Sequence, residues 1–219
     1  MPFKPILTAR QEDGESIPLL LWRLPAPMRG ISSGPLGGGI GDREWVINAT
    51  VPMSYARNDP QEHLTELAGG MALDGPGVGL LTGVDVTERV AATDGAVEVW
   101  ATVGLGRPIL AAAAHEIPRQ QTHTPGTINI VAFVPVRLSD AALVNAVMTI
   151  TEAKAQALWE LGLAATGTAT DAVTVLCPQD GPAEAYGGPL SKWGAHAARA
   201  VHRAVKEGGA RPKIPWSER

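Results

Sequence analysis

Cys177 is the only cysteine in 219 residues, so the chain can build neither an internal disulfide nor a cysteine-based zinc site. It sits inside an apolar run with no basic neighbour to lower its pKa, which reads as core rather than nucleophile. Aromatic residues are scarce at 5% and charged residues at 18%. Neither sign of charge dominates: 18 Lys and Arg stand against 22 Asp and Glu, a formal net charge of −4. That balance gives no electrostatic reason to expect nucleic acid or an anionic membrane as partner. No apolar run approaches the roughly 20 residues of a spanning helix; the strongest are residues 19–22 and 78–81. The N-terminal stretch has a lysine but neither a long apolar segment nor a small-residue cleavage site. The expectation is a soluble, cytoplasmic protein with no nucleic-acid or membrane partner, compatible with a homo-oligomer.

Two motif classes are also missing. Residues 37–41 and 75–79 are glycine-rich but lack the Lys-Ser/Thr ending of a phosphate loop and the spacing of a dinucleotide fingerprint. His115-Glu116 opens like a zincin motif, but Arg119 stands where the second histidine belongs. His196 and His202 are six apart on a predicted helix and point to opposite faces. No protein-bound metal is expected.

What is present is a 45% hydrophobic content punctuated by 25 glycines and 18 prolines. That is about a fifth of the chain, against an average near 12%. Such composition implies a globular domain with many tight turns. The pattern predicts strands at 19–24, closed by Pro25 and Pro27, and at 45–51. Residues 31–41 are expected to be irregular, and a short helix to occupy 62–69. Further strands fall at 78–84, 89–93 and 97–103, the last two joined by an Asp94-Gly95 hairpin signal. Residues 106–126 read as a loop. Residues 128–136 read as a buried strand, with Pro135 marking an edge or a terminus. A helix from 140 to 161, capped by Ser139, precedes a strand at 172–177 and a C-terminal helix at 192–207. The expected architecture is α/β or α+β: a single domain over 1–219, a mixed β-sheet with packed helices.

Several residues could carry chemistry. Gly30-Ile31-Ser32-Ser33-Gly34 is a literal G-x-S-x-G, but the glycine run that follows cannot start the helix a nucleophile elbow needs. The turn instead either presents backbone N–H groups around Ser32, Ser33, Gly38 and Gly39 to an oxyanion or polar ligand, or simply packs. On the helix at 140–161, Leu143, Val147, Ile150, Leu158 and Leu161 share a face, with Asn145, Thr149, Glu152 and Gln156 opposite, as solvent exposure would require. Lys154 falls within the apolar face, where it must snorkel, pair with a buried acid, or enter a pocket. Thr166, Thr168, Thr170 and Asp171 at the mouth of one strand, and Thr82 and Asp85 at the end of another, either meet a polar substrate or cap their own loops.

Taken together, residues 31–39 (ISSGPLGGG), 78–86 (VGLLTGVDV), 101–105 (ATVGL), 126–130 (GTINI), 138–158 (LSDAALVNAVMTITEAKAQAL), 165–173 (ATGTATDAV) and 186–194 (YGGPLSKWG) resemble, in order and spacing, the adenosylcobinamide amidohydrolase family of corrinoid salvage. The resemblance runs from about Ile31 to the last helix, and its combined stretch 126–173 is the specific part. Two segments depart from the family pattern: residues 106–124 look longer and more irregular, and nothing upstream of Ile31 carries a recognisable motif. The resemblance implies hydrolysis of the amide between the aminopropanol arm and the corrin ring of adenosylcobinamide, giving adenosylcobyric acid and 1-amino-2-propanol. The corrinoid is the small-molecule partner, its cobalt belongs to the substrate, and no cofactor bound by the protein is expected. No catalytic set comes with the resemblance. Amide hydrolysis needs an activated water or nucleophile, oxyanion stabilisation and a proton for the leaving amine. Asp85 or Glu152 is then the candidate base, and Lys154 the source of positive charge or of the proton. Ser32-Ser33, Gly38-Gly39 or Thr168 are candidate oxyanion donors. Asn129, Asn145 and Asp171 are candidates for the peripheral amides, and Thr82 is a further substrate-binding candidate. An acyl-enzyme on Ser32 or Ser33 is the rival mechanism. A non-catalytic corrinoid-binding protein and a hydrolase of another amide are the alternative functions.

Overall fold

Alternation of side chains along the strands produces three apolar layers, and these define the architecture. The computed structural model describes residues 3–113 and 126–211. Within them eight strands form one mixed sheet: β1 (Ile6–Glu12), β2 (Glu15–Ser32), β3 (Gly39–Thr50), β4 (Gly77–Thr82), β5 (Val90–Asp94), β6 (Val97–Val103), β7 (Ile128–Phe133) and β8 (Ala172–Cys177). Their order is β4-β3-β2-β8-β7-β6-β5, with β1 pairing on β2 beside that path. The β3–β4 and β7–β8 pairs are parallel and the others antiparallel. Three helices, α1 (Pro60–Gly70), α2 (Asp140–Glu160) and α3 (Lys192–Ala210), complete an α+β fold. None of these helices is long and apolar enough to cross a membrane.

The sheet curls so that β2–β4 face β6–β8. Trp22, Val46 and Leu80 from one half meet Trp100, Val131 and Phe133 from the other. On the outside, Val99, Ile130 and Val175 pack beneath α2 and α3. Leu19, Leu21 and Ile47 pack beneath α1 through Leu64 and Ala68. Each fully buried large side chain of this kind contributes about 1.5–3 kcal/mol.

The inner layer changes character along its length. One end is aromatic and is closed by Phe3, whose ring stacks on Phe133 at 4.3 Å and whose carbonyl accepts a 2.8 Å hydrogen bond from Trp22 Nε1. Toward the other end the inward positions turn polar: Val46 gives way to Asn48 and Thr50 on β3, and Leu80 to Thr82 on β4. Trp100 likewise gives way to Thr102 on β6, Val131 to Asn129 on β7, and Leu176 to Thr174 on β8. All of these polar residues are buried. The inner layer therefore has an apolar end and a polar end.

The predicted elements largely form, including the β7–α2–β8 unit and the β5–β6 hairpin turning at Gly95-Ala96. Ser139 Oγ accepts from Ala142 N at 3.1 Å to start α2, and Gly162 follows its end at φ +79°, which glycine adopts without a Cβ penalty. Three expectations are corrected, and one alternative is decided. Pro25 and Pro27 do not close a strand; β2 runs through them to Ser32, and they fall in a register shift between Arg23 and Met28, where the hydrogen-bond ladder is already interrupted. Residues 31–41 are not wholly irregular, since β2 ends at Ser32 and β3 begins at Gly39. Of the two roles expected for Pro135 it has the terminal one, following the end of β7 at Phe133, since β7 is a central strand between β6 and β8. Thr149 is buried rather than solvent-facing, because its hydroxyl donates to Gly187 O at 3.0 Å; Asn145 beside it is half-buried. The loop expected at 106–126 falls in large part outside the described residues.

The parallel β3–β4 pair sets Trp45 directly against Gly77, with the indole Nε1 donating to Asp74 O at 3.1 Å. A Cβ on Gly77 would lie 2.0 Å from the indole ring. Gly77→Ala is therefore expected to displace Trp45 and cost about 1–3 kcal/mol, read as a lower urea midpoint at unchanged m-value.

Candidate active site

A cavity of about 580 Å³ opens at the polar end of the inner layer. Every element that reaches that end contributes to its wall. Ser33 and Pro35 follow β2, Val51, Tyr55 and Arg57 follow β3, and Thr82 and Gly83 end β4. Arg107, Ile109, Thr127 and Asn129 come from before and within β7, and Ala169, Thr170 and Ala172 lead into β8.

Asn129 is the buried polar residue around which the wall is built. Its Nδ2 donates to Asn48 Oδ1 and to Leu81 O, each at 2.9 Å, and Asn48 Nδ2 donates onward to Thr102 Oγ1 at 3.1 Å. A backbone carbonyl can only accept, so the amide orientation is fixed by the network. Asn129 Oδ1 is thereby left buried without a partner on a residue that lines the cavity. An unpaired buried acceptor costs about 1–3 kcal/mol, and a ligand N–H or O–H would remove that cost. Two hydroxyls on the same wall have the opposite capacity. Ser33 Oγ accepts from Val173 N at 3.0 Å, and Thr82 Oγ1 accepts from Val84 N at 3.1 Å. Each keeps its proton free to donate. Thr127 and Thr170 bond to each other through their hydroxyls at 2.6 Å.

Behind this wall lies the lysine whose environment the periodicity left open. Lys154 pairs with Asp171, with side-chain exposures of 7% and 10%. Asp171 also accepts from Ile128 N at 2.9 Å and Thr168 N at 3.0 Å, and from the Thr168 hydroxyl. The pair ties α2 to the first residue of β7 and to the turn carrying Ala169 and Thr170. Neither charged group lines the cavity.

The remaining sequence candidates lie elsewhere. Ser32 bonds Thr174 Oγ1 at 2.9 Å and accepts from Gly34 N at 3.0 Å. Gly38 and Gly39 belong to a loop folded around buried Arg43, which donates to Gly37 O at 2.7 Å and Gly39 O at 3.2 Å. Asp85 caps the 3₁₀ turn Val86–Glu88, accepting from Thr87 N at 2.9 Å and Thr87 Oγ1 at 2.7 Å. Asn145 sits beside Gly188, and Glu152 is exposed on α2. The structure thus brings Ser33, Thr82 and Asn129 together at the cavity and leaves the other nine candidates outside its lining. Thr170, one of the hydroxyls expected at the strand mouth, also lines it, and Tyr55, Arg57, Arg107 and Thr127 line it without having been singled out. Tyr55 and Arg57 lie on the loop after β3, which runs parallel to the strand ending at Thr82, a pairing that only the fold reveals. Among the described residues no three His, Cys, Asp or Glu side chains converge as a metal would need. His115 and His123 lie outside the described residues.

At the rim, Arg57 is held by Asp59 at 2.8 Å and Glu66 at 2.8 Å. Tyr55 Oη lies 3.0 Å from Nδ1 of His63 on α1, and the two rings stack. Burial pushes the Tyr55 phenol up and holds the His63 imidazole below its ordinary value. Tyr55 is accordingly protonated, and His63 neutral, near pH 7.

Comparison with known proteins gives one consistent result. The family model for adenosylcobinamide amidohydrolase matches residues 4–214. The adenosylcobinamide amidohydrolase of Methanosarcina mazei is 32% identical over 187 residues, covering 81% of this chain and 88% of the relative. That of Halobacterium salinarum is 37% identical over 191 residues, covering 84% and 81%.

Lys154→Met is expected to lower the unfolding free energy by about 3 kcal/mol, because it leaves Asp171 buried with an uncompensated charge. Urea denaturation of the two proteins measures the difference.

Proposed function

The chain belongs to the adenosylcobinamide amidohydrolase family, and from that premise we propose that it hydrolyses the amide joining the aminopropanol arm to the corrin ring of adenosylcobinamide. The products are adenosylcobyric acid, which re-enters cobamide synthesis, and 1-amino-2-propanol. The observation that carries this reading is the family match over residues 4–214. The cobalt enters and leaves as part of the substrate, and the protein contributes no metal of its own.

The cavity is the place we assign to the reaction. A corrin ring with its adenosyl ligand exceeds the drug-sized ligands that pockets of roughly 300–1,000 Å³ enclose. The aminopropanol arm enters and the macrocycle rests at the mouth, near Arg57 and Arg107. The scissile secondary amide carries one N–H and one carbonyl, and the wall offers a complement to each. Asn129 Oδ1 accepts the N–H. As the carbonyl carbon becomes tetrahedral the nitrogen gains basicity and is protonated, so its N–H groups become stronger donors. The bond to Oδ1 therefore strengthens in the transition state, which is the condition for catalysis rather than mere binding. The Ser33 and Thr82 hydroxyls donate hydrogen bonds to the developing oxyanion. Lys154 and Asp171 hold the Ala169-Thr170 side of the wall in position. If the reaction runs through an acyl-enzyme, Ser33 is the serine positioned for it, because Ser32 is turned into the Thr174 contact.

Purified protein mixed with adenosylcobinamide is expected to yield adenosylcobyric acid and aminopropanol in equal amounts by mass-resolved chromatography, with or without a chelator. Ala169→Phe, which fills the cavity from an exposed position, is expected to lower kcat/KM at least tenfold with unchanged thermal unfolding. Intact substrate after incubation with folded protein would overturn the activity, and an unaffected Ala169→Phe variant would overturn the location.

A further inference from the structure

His63 is a buried histidine that the sequence offers no reason to notice, and its surroundings connect the cavity to β1. Its Nδ1 meets Tyr55 Oη at 3.0 Å, and Tyr55 lines the cavity. Its Nε2 lies 3.2 Å from Glu12 Oε1 without a well-aligned hydrogen bond. The second oxygen of Glu12 accepts from Arg10 Nε at 2.6 Å. A carboxylate only accepts, so its approach to 3.2 Å favours the neutral tautomer with the proton on Nε2, which presents a lone pair at Nδ1. In that tautomer Tyr55 donates its O–H to His63. The direction Glu12–His63–Tyr55 is that of a carboxylate-oriented imidazole backing a hydroxyl, the arrangement by which a weakly acidic hydroxyl is made to exchange protons.

Resting on the cavity as the hydrolytic site, we propose that Tyr55 is the proton-transfer residue of the reaction, with His63 and Glu12 as its positioning relay. Water oxygen bonds to the scissile carbonyl carbon and gives one proton to Tyr55 Oη, as the phenol passes its own proton to His63 Nδ1. The resulting imidazolium is stabilised by Glu12. The C–N bond then breaks with its electron pair on nitrogen. The nitrogen takes a proton from Tyr55 Oη while His63 returns its proton to the phenol oxygen. One water is consumed, a carboxylic acid and an amine are released, and the relay ends as it began. The charges facing His63 are Glu12 and Arg10 from β1, Arg57 from the loop after β3, Asp59 at the start of α1 and Glu66 within it, with Tyr55 as the neutral partner. Burial dominates over all of them in keeping the imidazole neutral. Protonation of His63 would remove the acceptor at Nδ1, so activity falls on the acid side as this group titrates.

The test is Tyr55→Phe and His63→Gln, each measured for single-turnover hydrolysis of adenosylcobinamide, for adenosylcobinamide binding by absorbance titration, and for thermal unfolding. General acid–base groups contribute about 10²–10⁴-fold. The expected result is a loss of tenfold or more in turnover for both variants, with Kd within threefold. The acid limb of the native rate profile should also be absent in His63→Gln, a change that a merely structural histidine would not produce. Tyr55→Phe turning over within tenfold of native overturns the proposal, and so does loss of binding in place of turnover. Should Tyr55→Phe fail to fold, His63→Gln decides by the same threshold. Ala169→Phe separates the two levels: an inactive Ala169→Phe beside an active Tyr55→Phe removes the relay and keeps the cavity, whereas an active Ala169→Phe removes the cavity itself.

Discussion

Asn129 donates both protons of its amide across the inner layer, one to Asn48 and one to Leu81 O, and the two halves of the curled sheet are held in register at their polar end by these bonds. A polar seam inside a sheet is tolerated only when its members satisfy each other. Here all but one atom do. The exception, Asn129 Oδ1, is buried without a partner on a residue that lines the cavity, so the side chain that joins the two halves also holds an acceptor in need of a donor. Apolar residues at these positions would close the seam more cheaply but would leave nothing to recognise an amide.

The rest of the molecule follows from keeping that end open and the other shut. Phe3, Trp22, Trp100 and Phe133 fill the far end with aromatic surface; the carbonyl of Phe3 satisfies the buried Trp22 indole, while the Trp100 indole N–H is left buried without a partner. The open end has no such filling, so its walls must be rigid by other means. The Lys154–Asp171 pair is one of these, since four donors converge on a single carboxylate at the junction of α2, β7 and β8. A buried ion pair adds little net stability compared with apolar packing; its value here is that it fixes two segments carrying Thr127, Ala169 and Thr170. Arg43 does the corresponding work on the other side by gathering the carbonyls of the 37–39 loop.

Much of this was legible from residues alone where a local rule governs. Ser139 and Gly162 bounded α2, Asp94-Gly95 turned a hairpin, and residues 172–177 formed the predicted strand because its six residues are buried on both sides of the sheet. The fold class and the family were also legible, the latter from the order of several weak segments. What failed was non-local. Pro25 and Pro27 look like strand breakers unless one knows that β2 changes partners there, from β1 to β8. Asn129 was reached only as a candidate for the substrate's peripheral amides once the family resemblance was in view, whereas Tyr55 and His63 escaped because loops and short helices offer no periodicity against which to be anomalous. Lys154 was correctly seen as out of place; the partner that explains it stands 17 positions away, where only the fold brings Asp171 to it.

Family membership supplies the reaction, and the structure supplies a site whose donors and acceptors match a secondary amide. The central claim is that these are the same place. A crystal structure of the protein with adenosylcobyric acid tests it most directly. The account predicts the freed carboxylate inside the cavity, accepting from Ser33 and Thr82, with the macrocycle at the mouth beside Arg57 and Arg107. A corrinoid bound anywhere else on the surface, with the cavity beside Asn129 left to solvent, would contradict it.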